Sequence, residues 1–173
     1  GFVTNGVHFR TWTAKDWKKL YYKTFDKGFL DDTSCEKYWE EIYNVSDEEI
    51  WKIRQKQRAK LVNYVRERVR KNWVMRYENP KNIVEIINNL DENVLTIGFA
   101  RRFATYKRAN LLFRNLDRLA EILNNPDMPV QILFAGKAHP NDQAGQDLIK
   151  HIVEISKRKE FLGKIIFIED YDI

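Results

Sequence analysis

The apolar positions change their period near residue 93. Before it they recur every three or four residues; after it, short continuous apolar runs alternate with helical patterns. Trp17, Leu20, Tyr21 and Phe25 predict a helix over 13–25, with Thr13 as its cap and Asp16 three residues on. Tyr38, Trp39, Ile42 and Tyr43 predict a short helix over 35–43. Ser46-Asp47-Glu48-Glu49 is a capping box that opens the longest predicted helix, 47–77. Its buried stripe is Leu61, Val62, Val65, Val69 and Trp73. Asn79-Pro80 breaks the pattern, 81–90 reads as a short helix, and 91–93 as a turn. Residues 1–12 read as a loop with a turn at Asn5-Gly6.

From Val94 onward the order is strand, helix, strand, helix, strand. The strands are 94–99, 130–135 and 164–168. The first helix, 108–124, turns Leu111, Leu112, Leu116, Leu119 and Ile122 inward. The second, 142–159, does the same with Leu148, Ile149, Ile152 and Ile155. Alternation at this spacing means an α/β fold, a parallel sheet with right-handed crossovers. Residues 1–93 therefore form a helical segment, and 94–173 a Rossmann-like β-α-β-α-β part. Three strands make a thin sheet, the chain opens without a methionine, and it stops just past the third strand. We expect a piece of a longer protein.

Composition narrows the function classes. Cys35 is the single cysteine, so neither an internal disulfide nor a CxxC metal site can form, and a reducing compartment is expected. No apolar run reaches the ~18 residues that span a membrane. The net charge of +5 over 173 residues fits an anion or polyanion binder. Much of the positive charge lies on the long helix, at Lys52, Arg54, Lys56, Arg58, Lys60, Arg66, Arg68, Arg70 and Lys71. Such a face can follow a nucleic acid backbone, but charge runs on long helices are usually solvated, and that reading is preferred. Asp31-Asp32 reads as a helix cap, because no further ligands stand at metal spacing. His8, His139 and His151 assemble no catalytic triad with a serine and an acid.

In open parallel sheets, ligands bind outside the carboxyl ends of the strands. Residues 100–107, 136–141 and 169–172 occupy that edge. The first group holds Arg101, Arg102 and Lys107 at a strand-to-helix turn, with Arg108 beside them, where a helix N-terminus adds favourable N–H groups. Arg102 offers a fork for two phosphate oxygens, and Lys107 adds a point charge. Gly136 permits close backbone approach, next to Lys137 and His139. Gly98-x-Ala100 is not a dinucleotide fingerprint. A surface turn paired by salt bridges is the competing reading of the same cations.

These residues resemble a known family. Gly98-Phe99-Ala100-Arg101-Arg102-Phe103-Ala104-Thr105-Tyr106-Lys107-Arg108 is similar to the phosphate-site segment of α-glucan (glycogen, starch, maltodextrin) phosphorylases. Phe134-Ala135-Gly136-Lys137-Ala138-His139-Pro140, Phe167-Ile168-Glu169-Asp170-Tyr171, and Val3-Thr4-Asn5-Gly6-Val7-His8 with Trp12 resemble three further segments in the same order. The resemblance implies the start of the carboxyl-terminal domain of a GT-B glycosyltransferase, in which a glucan end is transferred to phosphate as glucose 1-phosphate. It implies that Arg102 and Lys107 hold the substrate phosphate, Arg101 faces the phosphate of the cofactor pyridoxal phosphate, and Tyr171 lies near that cofactor. Asn5 would bind a sugar hydroxyl, with Tyr106 near the sugar. The implied partners are α-glucan and phosphate, with no nucleic acid and no membrane, in the cytoplasm; a homo-oligomer of the full-length protein stays open. Long members carry Lys-Arg-Ile-His-Glu-Tyr-Lys over 101–107 and an arginine at 172, where this chain has Ala104 in the histidine's place and Asp172. Those features resemble the shorter prokaryotic branch. The lysine that bonds the cofactor is expected beyond the third strand, so the chain alone is expected to be inactive. A nucleotide-sugar transferase of the same fold is the alternative, as is a basic nucleic-acid or anion-binding module.

Overall fold

Helices dominate until residue 89 and a sheet follows, as the change of period requires. The computed structural model describes residue 3, residues 6–75 (of 73–75 the backbone alone) and residues 79–170. The chain forms two compact units, 1–57 and 58–173.

The first unit is built on aromatic rings. Helices α1 (Phe9–Trp12), α2 (Lys15–Thr24) and α3 (Glu36–Glu40) enclose the buried Leu20, Phe25 and Phe29. The Phe25 and Phe29 centroids are 4.7 Å apart, and Trp39 packs edge-on to both at 5.4 and 5.5 Å. Such edge-to-face pairs stabilise beyond their buried area. Two expectations need correction here. Residues 9–12 are helical, and Thr13 closes that turn by donating its N–H to Phe9 O at 3.1 Å. Committed to the end of α1, Thr13 does not cap α2, whose N-cap is Ala14. The helix expected over 35–43 is α3 followed by a 3₁₀ turn, Glu41–Asn44. Ser46 does cap the long helix α4 (Asp47–Met75): its Oγ accepts the Glu49 N–H at 3.3 Å.

The second unit carries the sheet. Strands β1 (Leu95–Ala100), β2 (Val130–Ala135) and β3 (Ile165–Ile168) are parallel, in the order β1-β2-β3. β2 is buried throughout. Val62, Val65 and Val69 of α4 and Ile86 of α5 (Pro80–Asn89) pack on one face, against Leu133, Ala135, Ile166 and Ile168. Leu61, expected in that stripe, is 40% exposed; the side chain of Trp73 lies outside the described residues. Helices α6 (Leu116–Leu123) and α7 (Gln143–Ser156) cover the other face. Asn79 and Asp142 cap α5 and α7, accepting the N–H groups of Lys81 at 3.0 Å and Gly145 at 2.9 Å. The buried Gln131 donates to Asp91 O at 2.8 Å and Thr96 Oγ1 at 2.7 Å, and accepts the Asp91 N–H. It ties the turn before β1 to the centre of the sheet.

The helix expected over 108–124 is the main departure. Arg108 has φ 56°, a left-handed conformation that interrupts any helix. Two 3₁₀ turns flank it, Thr105–Lys107 and Ala109–Phe113, and α6 starts only at Leu116. Asn115 caps α6, its side chain accepting the Arg118 N–H at 2.9 Å. The tighter turn shifts the inward face: Ala109, Phe113, Leu119 and Leu123 are buried, whereas Leu111, Leu112 and Ile122 are 45, 38 and 43% exposed. Among the described residues no helix is long and apolar enough to cross a membrane.

Candidate functional site

The carboxyl edge of the sheet is set by a row of phenylalanines. Phe99, Phe134 and Phe167 occupy the same register on the three strands. Phe103, just past β1, is 1% exposed and lies 5.5, 6.5 and 5.6 Å from those rings. It therefore plugs the core beneath the loop that carries the cations. Sequence reasoning missed Phe103. The signal was there, since each strand has its phenylalanine one residue before its end, as a sheet in register requires.

Backbone bonds then pin this loop to the neighbouring one. Arg101 donates its N–H to Ala135 O at 3.1 Å, and Phe103 donates to Lys137 O at 3.0 Å. Gly136 makes the approach possible. Its φ is 150°, and a Cβ there would lie 2.0 Å from Arg101 O. Gly145 of α7 supports the loop from below; a Cβ on it would lie 2.1 Å from Phe103 O. The role of Gly145 was not foreseen either. Beyond Phe103 the chain folds into the 3₁₀ turn: Lys107 donates its N–H to Ala104 O at 2.9 Å, and Arg108 to Thr105 O at 3.0 Å.

Arg101 and Arg102 are exposed on this pinned loop. Lys107 is half-buried, with its Nζ 4.5 Å from the centre of the Tyr106 ring, a cation–π contact. Tyr106 is itself 65% exposed. None of the side chains of Arg101, Arg102, Lys107, Arg108 and Lys137 makes an ion pair with a described residue. The salt-bridged surface turn that competed with an anion site is thus not formed among the described residues. The electrostatic account changes in one respect. The N-terminus of α6 is capped by its own Asn115 and lies eight residues past Lys107, so the attraction for anions comes from the side-chain cations.

The second and third loops meet at an open groove of ≈ 520 Å³ between Gly136–Ala138, α7 and Glu169–Asp170. Lys137 lines it, as do Lys150 and Glu169. His139 is outside the groove, its Nδ1 accepting the Asn141 N–H at 3.2 Å. Asp170 has φ 53° and turns the chain as it leaves β3. Among the sequence-predicted site residues, Asn5 and Tyr171 lie outside the described residues. Arg101, Arg102, Tyr106 and Lys107 are on one loop, anchored to the rim of the groove. Shifted acidities occur in the other unit: burial pushes the Tyr21 hydroxyl up, and bonds from Ser34 hold the Asp32 carboxyl down. No group of three or more His, Cys, Asp or Glu among the described residues is arranged to hold a metal.

No protein-family model matches the chain. Individual proteins do. Glycogen phosphorylase of Aquifex aeolicus (strain VF5) is 41% identical over 171 residues, 99% of this chain and 25% of that protein. Maltodextrin phosphorylase of Thermococcus litoralis is 39% identical over 172 residues, 99% of this chain and 20% of that protein. Glycogen phosphorylase of Mycobacterium tuberculosis is 38% identical over 173 residues, all of this chain and 20% of that protein. The chain spans between a fifth and a quarter of the length of these curated relatives.

Proposed function

We propose that this chain, homologous over its whole length to glycogen and maltodextrin phosphorylases, supplies the phosphate-holding edge of an α-1,4-glucan phosphorylase. The single observation that carries the reading is the pinned loop, whose cations are unpaired among the described residues. In this reading the helical opening 1–93 and the Rossmann-like part 94–173 belong to the carboxyl-terminal domain of a cytoplasmic GT-B enzyme. Arg102 and Lys107 hold the phosphate, whose oxygen bonds C1 of the terminal glucosyl unit as the glycosidic bond breaks; the shortened glucan leaves with a proton on the freed oxygen, and glucose 1-phosphate is released. Asn5 and Tyr106 contact the sugar. Fixed cations stabilise charge on the transferring group without reorganising at the moment of reaction. The backbone bonds at Arg101 and Phe103 provide that fixity.

The exposed Arg101 guanidinium on the same loop, without an ion pair among the described residues, suits a second phosphate, that of pyridoxal phosphate, with Tyr171 beside it. When bound, that cofactor supplies a phosphate group able to exchange a proton with the substrate phosphate. The residues of this chain position both anions and balance their charge. The test is release of glucose 1-phosphate from maltodextrin and phosphate by the full-length protein, with Arg102→Ala compared. Phosphorolysis that keeps its phosphate dependence in Arg102→Ala refutes the reading.

A further inference from the structure

Arg68 sits on α4, far from the cation loop in sequence, yet its guanidinium closes the exit of β3. Nη2 donates to Glu169 O at 3.0 Å and to Asp170 O at 3.3 Å. The Asp170 carboxylate is 3.7 Å from the same nitrogen. One turn along, Asn72 Nδ2 donates to Glu169 Oε2 at 3.3 Å. The stem of Arg68 is held in turn: its guanidinium lies 5.8 Å from the Tyr64 ring centre, and the side chain is 24% exposed. Val65 and Val69, on either side of it, are buried against β3. The donor is thus delivered by a helix that cannot shift without opening the core.

Two carbonyls taken by one nitrogen define the direction in which the chain leaves the sheet. Asp170 stands there in a left-handed conformation, at φ 53°, which a non-glycine residue adopts at a cost. Arg68 supplies bonds on both sides of that strained peptide. The same contacts draw Glu169 and Asp170 toward α4. This loop otherwise brings acidic groups to an edge where Arg101, Arg102 and Lys137 need to stay available for anions.

We propose that Arg68 is a positioning residue for phosphate transfer: it fixes the Glu169–Asp170 turn against α4 and so sets where the third loop of the site begins. This rests on the phosphorylase reading. Arg68 touches neither substrate nor cofactor; it acts through the turn.

The test uses the full-length protein with Arg68→Met, which keeps the apolar stem and removes the donors, and Arg68→Lys, which restores one. Hydrogen exchange at the amides of Glu169 and Asp170 accelerates in Arg68→Met while that of β2 is unchanged. kcat for phosphorolysis falls about tenfold to a hundredfold, the range for a small misplacement near the reacting group. KM for the glucan stays within about twofold, and Arg68→Lys recovers part of kcat. Unchanged exchange at Glu169 and Asp170 overturns the proposal. So does a loss of kcat that merely follows a global loss of stability in the melting curve, or a Lys variant no better than Met. Arg102→Ala, run in parallel, separates the two claims: if it keeps its phosphate dependence the phosphorylase reading fails, whereas the exchange pattern still decides whether Arg68 holds the turn.

Discussion

Two sets of cations in this protein look alike in sequence and differ in what they do. On the second half of α4, Arg66 donates Nε to Ile87 O and Nη2 to Leu90 O, Arg68 binds the β3 exit, and Arg70 pairs with Glu67 at 2.6 Å. On the loop after β1, Arg101, Arg102 and Lys107 have no acidic partner among the described residues. These helix arginines bond within the fold, whereas the loop cations have no such ion-pair partner among the described residues. Density of positive charge therefore says less about binding than whether the charge has been satisfied within the fold. Arg66 and Arg68, already tied to backbone carbonyls, are poor candidates for phosphate contacts.

The contrast can be broken most sharply at Arg102. In the full-length protein, Arg102→Ala lowers kcat about 10²- to 10³-fold, the usual effect of removing one group that stabilises transferring charge. Release of glucose 1-phosphate at saturating glucan measures it. Melting temperature stays where it was, because the side chain is exposed. Gly136→Ala tests whether the loop must be pinned. Its Cβ would meet Arg101 O, so the loop or the end of β2 must move, at about 2–4 kcal/mol by denaturant titration. Phosphate affinity falls along with stability in this variant.

Arg66→Met makes the opposite prediction. It leaves two backbone carbonyls without their donor and costs about 1–3 kcal/mol of stability, read by urea unfolding. KM for phosphate is unchanged. The smallest effect is expected from Lys52→Gln with Lys71→Gln. Phosphorolysis stays within about twofold, and oligonucleotide binding in low salt shows no slope that these lysines account for. A steep salt dependence lost in the double variant would restore the nucleic-acid reading.

How far the sequence disclosed this follows from where the determinants sit. The three strands were legible because continuous apolar runs bounded by turn residues leave little choice, and β2 begins and ends at the predicted residues, 130 and 135. The long helix was legible from its capping box and its valine stripe. Residues 108–115 read as helix because the apolar spacing there fits one, while the backbone is decided by a left-handed Arg108 and by Asn115, a cap signal inside the expected run. The partners of Arg66 and Arg68 were out of reach for another reason: they are backbone carbonyls up to 102 residues away, which no local pattern encodes. Gly136 was foreseen as a point of close approach, whereas Gly145, its counterpart in α7, lies in a helical pattern where glycine carries no turn signal.

The alternation at residues 101–103, two exposed cations followed by a ring sealed in the core, has a consequence for how such a protein changes over generations. The seal at 103 is committed to one large apolar shape, because three rings surround it, Gly145 leaves room for its carbonyl, and Gly136 leaves room for its ring and for the Arg101 carbonyl. Positions 101 and 102 carry no such debt to the interior. Substitutions at 101 and 102 leave the interior untouched, whereas those at 103, 136 or 145 must first be absorbed by the core.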